Sequence, residues 1–162
     1  MVFLSGDFEE QAKFWMYQAA EQAELALCAR AKCGTVIVSG GKAIGLGYNA
    51  PALDSEENRM CGDDFVPGKP RYDKTCCIHA EWRAIMDALT RHSDRIAGST
   101  LYFTRVDAGG GILKAGQPFC TVCSRLALDS GIATFVLWQE AGLAAYETQE
   151  YNRVSYEYRH EV

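Results

Sequence analysis

Two short segments set the terms for any fold of this chain: Cys76-Cys77-Ile78-His79-Ala80-Glu81-Trp82-Arg83 and Gln117-Pro118-Phe119-Cys120-Thr121-Val122-Cys123-Ser124. One histidine and a distant Cys-x-x-Cys pair are a three-ligand metal set, and the two segments must meet if one ion is to be held. Structural zinc sites usually close all four positions with Cys or His, whereas catalytic sites keep one position for water. His79, Cys120 and Cys123 are therefore the predicted ligands and Zn2+ the predicted ion. Glu81 is left beside the open position as an acid or base. A lone histidine on an apolar helix is more often a satisfied core residue, but the Cys-x-x-Cys pair removes that reading here.

The rest of the chain is read around these segments. Residues 7–31 predict a long amphipathic helix, with Asp7 as N-cap and Glu10 as its capping-box partner. Phe8, Ala12, Trp15, Ala19, Ala23 and Ala26 recur at helical spacing and predict a buried stripe. A hairpin follows, residues 35–39 and 42–49 joined by Gly40-Gly41. Residues 50–75 form an irregular, proline- and acid-containing insertion loop, closed by the basic cluster Lys69, Arg71 and Lys74. A second helix runs from His79 to about His92, with Ile78, Trp82, Ile85, Met86 and Leu89 at helical spacing. Its first turn carries His79 and Glu81, where the positive end of the helix dipole favours negative charge.

Residues 99–104 predict a strand, 107–116 a glycine-rich loop, 121–129 a helix behind the two cysteines, and 133–138 an apolar internal strand. The loop has no Walker lysine and no helix in register behind it, which excludes a phosphate-cradle reading. Strand, cysteine-bearing helix and strand together predict a right-handed parallel crossover. The tail from residue 140 reads as a C-terminal helix over about 146–160, its tyrosines serving as core or subunit interface. The whole is expected to be one domain, residues 1–162.

Composition narrows the function. A net charge of −5 disfavours a protein that grips a polynucleotide backbone, because such affinity comes from clustered Lys and Arg. No apolar run is long enough to span a membrane and no basic leader is present, so a cytoplasmic protein is the expectation. The seven cysteines are odd in number and irregular in spacing, a poor disulfide framework that points to metal binding instead. Cys28 and Cys33 read as small buried hydrophobes. Cys61, Cys76 and Cys77 are open to a second zinc site or to none.

The His79-Ala80-Glu81 and Pro118-Phe119-Cys120-Thr121-Val122-Cys123 segments resemble the H-x-E…P-C-x-x-C pattern of the zinc-dependent nucleobase deaminases, in which the Glu is not a ligand. The chain is identified as a member of the cytidine and deoxycytidylate deaminase superfamily. One departure is visible: Phe119 stands between the proline and the first cysteine. The parallel crossover resembles the deoxycytidylate and tRNA-adenosine branch, and the Gly47-Tyr48-Asn49 segment resembles the opening of deoxycytidylate deaminases. The resemblance implies an α/β fold, a three-layer αβα sandwich with a mixed central sheet of about five strands. It implies hydrolytic deamination, with zinc-activated water as nucleophile and Glu81 as proton shuttle. Asn49 would contact the substrate and the backbone around Ala80 would orient the exocyclic amine. It also implies a small nucleotide or nucleoside substrate, with deoxycytidylate leading, and a homo-oligomer. Two alternatives stay open: a deaminase of a polynucleotide base or of another amino-heterocycle such as guanine or a pterin-like base, and a non-catalytic zinc-stabilised binding module.

Overall fold

The computed structural model describes residues 1–60 and 75–158; Cys61 and the basic cluster Lys69, Arg71 and Lys74 lie outside them. In chain order the elements are β1 (Val2–Phe3), α1 (Gly6–Glu24), β2 (Lys32–Ser39), β3 (Lys42–Tyr48), β4 (Ala50–Pro51), β5 (Cys77–Ile78), α2 (Ala80–His92), β6 (Thr100–Val106), β7 (Ile112–Leu113), α3 (Thr121–Asp129), β8 (Thr134–Gln139), β9 (Gly142–Glu147) and α4 (Thr148–Glu157). One mixed sheet runs β1-β9-β8-β6-β2-β3, with β7 added beside β6. β6 and β8 are parallel and every other pair in the sheet is antiparallel. The five longer strands form the frame expected from the sequence, and the two-residue β1 and β7 extend it.

The central strands are apolar on both faces, and their period of two sorts side chains between two cores. Val36, Val38, Tyr102 and Val136 pack against Ala12, Trp15, Met16 and Ala19 of α1. Ile37, Leu101, Phe135 and Leu137 pack on the other side against Ala84, Ile85 and Ala88 of α2 and Ala127 of α3. Helices thus cover both faces, giving the three-layer sandwich. Among the described residues, no helix is long and apolar enough to cross a membrane.

Two glycines set how closely α2 approaches the sheet. A Cβ on Gly47 would sit 2.2 Å from the Ala80 carbonyl oxygen, and one on Gly45 would sit 2.3 Å from that of Ala84. The alternation Gly45-Leu46-Gly47 therefore leaves one face of β3 bare, and the first turn of α2 lies on it.

Four expectations are corrected. The first helix begins at Gly6 with Ser5 in the N-cap position, so Asp7 lies within the first turn instead of capping it. It ends at Glu24, not near residue 31, because the Leu27 N–H bonds the Asn49 carbonyl and draws the chain toward β2. Phe8 is exposed, and the buried stripe is carried by Ala12, Trp15, Met16, Ala19, Ala20 and Ala23. At the other end, residues 142–147 are strand β9 instead of the start of a tail helix. They pair with β8 through a tight hairpin in which Gln139 faces Gly142, and α4 begins only at Thr148.

Candidate active site

The three candidate metal ligands stand at the N-termini of two helices. His79 occupies the N-cap position of α2 and Cys120 that of α3. α2 and α3 pack side by side on one face of the sheet, so the two caps converge. Nδ1 of His79 lies 3.1 Å from Sγ of Cys123 and 3.6 Å from Sγ of Cys120. A tetrahedral zinc with bonds of about 2.0–2.3 Å needs its donor atoms roughly 3.5–3.8 Å apart, and both His–Cys distances come within about half an ångström of that. They are the single group of three or more metal-capable side chains among the described residues, all within 4.8 Å of one another.

The electrostatics favour a cation here. The Cys120 thiol is pushed down to about 4, chiefly by the hydrogen bond from Cys123, with His79 and the Cys123 backbone N–H adding to it. That N–H donates to Cys120 Sγ over 3.3 Å, the geometry of a helix cap with sulfur as acceptor. The Cys123 thiol moves the other way, pushed up by burial. His79 is raised through its hydrogen bond to Cys120, and its ring stacks on Trp82 at 5.2 Å.

Glu81 sits in the first turn of α2 with only 5 % of its surface exposed. Burial, and then the neighbouring Cys120 charge, raise its carboxyl above the usual range. It lines a cavity of about 320 Å³ together with Cys120, Phe103, Arg105, Lys114 and Tyr151. Phe119, the residue that departs from the motif, also lines this cavity and meets Tyr158 edge-on at 4.9 Å.

Asn49 and Ala80 are placed differently. Neither lines the cavity. The Asn49 side chain accepts from the Cys33 N–H over 2.8 Å and donates to the Ala31 carbonyl over 2.7 Å, which ties the start of β2 to the end of β3. Ala80 is fully buried. The Cys33 thiol is pushed up to about 12 by burial and then by the Glu81 charge. Cys28, Cys76 and Cys77 gather near one another as free thiols, and burial raises that of Cys77.

Two supports have no motif in the sequence. Leu53 and Asp54 both adopt left-handed backbone, with φ of 59° and 55°. The turn is held where Asp54 meets Arg83 of α2 at 2.9 Å and accepts from the Tyr48 hydroxyl over 2.8 Å, and Arg83 also donates to the Pro51 carbonyl over 2.8 Å. The segment after β3 is thereby pinned to the helix that carries Glu81. Tyr151 of α4 is the second: its ring stacks on Phe135 at 3.8 Å and its hydroxyl bonds the Phe119 backbone one residue before Cys120. Ser124, buried between α3 and α4, donates to Asn152 over 2.8 Å.

Residues 9–139 match the family described as the cytidine and deoxycytidylate deaminase zinc-binding region. The chain belongs to that family. It is accordingly a zinc-dependent hydrolytic deaminase, and its His/Cys/Cys cluster fits the zinc of the family. Among solved structures, the dCMP deaminase of the cyanophage S-TIM5 in apo form is 21 % identical over 78 % of this chain and 80 % of that one, with a TM-score of 0.52. The same enzyme in complex with dCMP and dUMP is 20 % identical over 78 % and 79 %, also at 0.52. A cytidine deaminase from Burkholderia pseudomallei is 16 % identical over 86 % and 94 %, with a TM-score of 0.57. At these identities the likeness speaks for the deaminase fold. No curated protein matches the sequence.

Proposed function

We propose that the chain deaminates a small cytosine nucleotide or nucleoside by hydrolysis, with deoxycytidylate as the leading substrate and Glu81 as the proton carrier. The observation that carries this reading is the buried Glu81 carboxyl, set beside the His79, Cys120 and Cys123 donors on the wall of a cavity of about 320 Å³. Small-molecule sites run from roughly 300 Å³ upward, so the cavity has room for one nucleotide. His79, Cys120 and Cys123 would hold zinc, which supplies a Lewis acid that lowers the pKa of water toward neutrality.

The chain's own residues do the rest. Glu81 takes the proton of the attacking water and hands it to the ring nitrogen. It then takes the proton of the hydroxyl now bonded to the ring carbon and gives it to the departing amine, so that the C–O bond becomes a carbonyl, the C–N bond breaks and ammonia leaves. A carboxyl raised by burial suits both halves of this cycle, since it takes up a proton more readily than an exposed carboxylate and still gives it back. The backbone around the buried Ala80 is assigned to the exocyclic amine. Asn49 is assigned to substrate through the one donor and one acceptor its two backbone bonds leave over. The S-TIM5 enzyme, similar in fold, was solved with dCMP and dUMP, which supports deoxycytidylate as the first compound to try.

The test is ammonia release by the zinc-loaded protein from cytosine, cytidine, deoxycytidine, deoxycytidylate, guanine, adenosine and a short single-stranded oligonucleotide. Turnover of deoxycytidylate above deoxycytidine is the expected result. Turnover of guanine, adenosine or the oligonucleotide alone, or silence across the panel with zinc bound, overturns it.

A further inference from the structure

Phe119 stands where the deaminase pattern has proline directly before its first cysteine, and the exchange has two physical consequences. A proline has no backbone N–H and holds its own φ at about −65°. Phenylalanine at the same position brings a donor that needs an acceptor, and it frees the torsion that aims the next residue, Cys120. Cys120 is the N-cap of α3, so looseness at this point moves a candidate ligand and the start of its helix together.

Helix α4 meets both. Tyr151, only 4 % exposed, bonds the Phe119 backbone through its hydroxyl. That bond works to lower a phenol that burial raises, which is the effect of an N–H donating to the phenol oxygen. Phe119 therefore supplies the donor and Tyr151 the acceptor. The Tyr151 ring is itself fixed, stacked on Phe135 of β8 at 3.8 Å and edge-on to Tyr146 of β9 at 5.7 Å. Further along, Tyr158 meets the Phe119 ring edge-on at 4.9 Å. Just past Cys123, the buried Ser124 hydroxyl contacts Asn152 and Ser155 of α4, at 2.8 and 3.1 Å. α4 thus grips the chain on both sides of the cysteine pair. The segment leading in is strapped to the end of β8, where the Ala115 N–H bonds the Trp138 carbonyl over 2.7 Å and Gln139 donates to the Gly116 carbonyl over 3.0 Å.

We propose that Tyr151 is a positioning residue for the candidate ligand Cys120, its hydroxyl doing the work of the missing proline by accepting the Phe119 N–H, with Tyr158 steadying the Phe119 ring. This rests on Cys120 as a zinc ligand and goes beyond the proposed function, since it is independent of which substrate the cavity takes. Groups that hold a metal ligand from behind change metal affinity by about 10- to 100-fold when they are removed. Tyr151 acts on Cys120 through one backbone link, which places its effect at the low end of that range.

The experiment uses zinc-loaded protein labelled with nitrogen-15 only at phenylalanine, as wild type, Tyr151→Phe, Phe119→Pro and the double variant. Tyr151→Phe removes one oxygen and keeps a ring on Phe135. Amide hydrogen exchange is read at Phe119 with the Phe135 N–H as reference, and zinc loss is read by chelator competition. In Tyr151→Phe the Phe119 N–H should exchange roughly 5- to 150-fold faster, the equivalent of the about 1–3 kcal/mol a buried donor loses with its partner, while Phe135 keeps its wild-type rate. Zinc should leave roughly 10-fold faster. Phe119→Pro removes the donor, so adding Tyr151→Phe to it should change zinc loss by less than about 2-fold. An unchanged Phe119 rate, a Phe135 rate that rises as much, or zinc loss unaffected by Tyr151→Phe overturns the proposal. So does an equal effect of Tyr151→Phe with and without Phe119→Pro. Should Phe119→Pro fail to fold, the first three readouts decide alone. The deaminase reading stands or falls on turnover instead, so the two failures are told apart.

Discussion

Glu81→Gln should reduce deamination by about 10³-fold or more while zinc stays bound. General acid–base catalysis by one group contributes roughly 10²- to 10⁴-fold, and here one carboxyl is asked to move protons at both ends of the reaction. A drop of 10³ corresponds to about 4 kcal/mol of transition-state stabilisation. Gln fills the same volume and keeps a hydrogen-bonding tip, so the fold should not suffer. Glu81 is almost fully buried, and burial already works against its charged form, so removing the charge takes away a desolvation cost. Zinc stoichiometry and the unfolding midpoint are the controls, and both should match wild type. Activity within a few-fold of wild type, with both controls unchanged, would take the proton carrier out of the mechanism.

Cys123→Ala should act on the metal instead. Zinc in small structural sites is worth about 10–16 kcal/mol over four ligands, hence roughly 3 kcal/mol, or about 10²-fold in affinity, for each. Cys123 is fully buried, so no outside ligand can reach the position its sulfur leaves. The variant should lose zinc to a chelator that leaves wild type loaded. It should also unfold at a lower temperature, because an ion that binds only the folded state stabilises it. Cys120→Ala should be milder: Cys120 is half-buried at the cavity wall, where water can take over. The measurement is chelator competition followed by thermal unfolding, and equal zinc retention in wild type and Cys123→Ala contradicts the ligand assignment.

The candidate metal set could be picked out of the sequence because its residues are tied to helix starts. His79 and Cys120 both fall just before an apolar helical repeat, and a helix N-terminus fixes where such a residue points. The hairpin of β2 and β3, the parallel pair β6 and β8, and helices α2 and α3 were legible for the same kind of reason. Each is long enough to show its period or is bounded by glycine. What was hidden depends on partners distant in the chain. The stretch Gly142-Leu143-Ala144-Ala145-Tyr146-Glu147 has no strand signature of its own. It is strand because β8 lies on one side and β1 on the other. The first helix stops early because of a bond from Leu27 to Asn49 that no local rule supplies. β7 has two residues, too few to show any period, so the segment read as a glycine-rich loop instead of a hairpin. The same gap hid Arg105, whose place on the cavity wall follows only from the pairing. Asn49 stood out as a polar residue in a strand ending. Its side chain satisfies backbone groups at Ala31 and Cys33, a role for which the sequence offers no mark.

The central claim is a catalytic zinc held by one nitrogen and two sulfurs with its fourth position free of protein. X-ray absorption at the zinc edge of the wild-type protein tests it most directly. The account predicts two sulfur neighbours at about 2.3 Å and two light atoms at about 2.0–2.1 Å, one of them the His79 nitrogen. Three or four sulfurs would contradict it. They would mean that a further thiol closes the metal, leaving Glu81 beside a structural ion with no place for water to react.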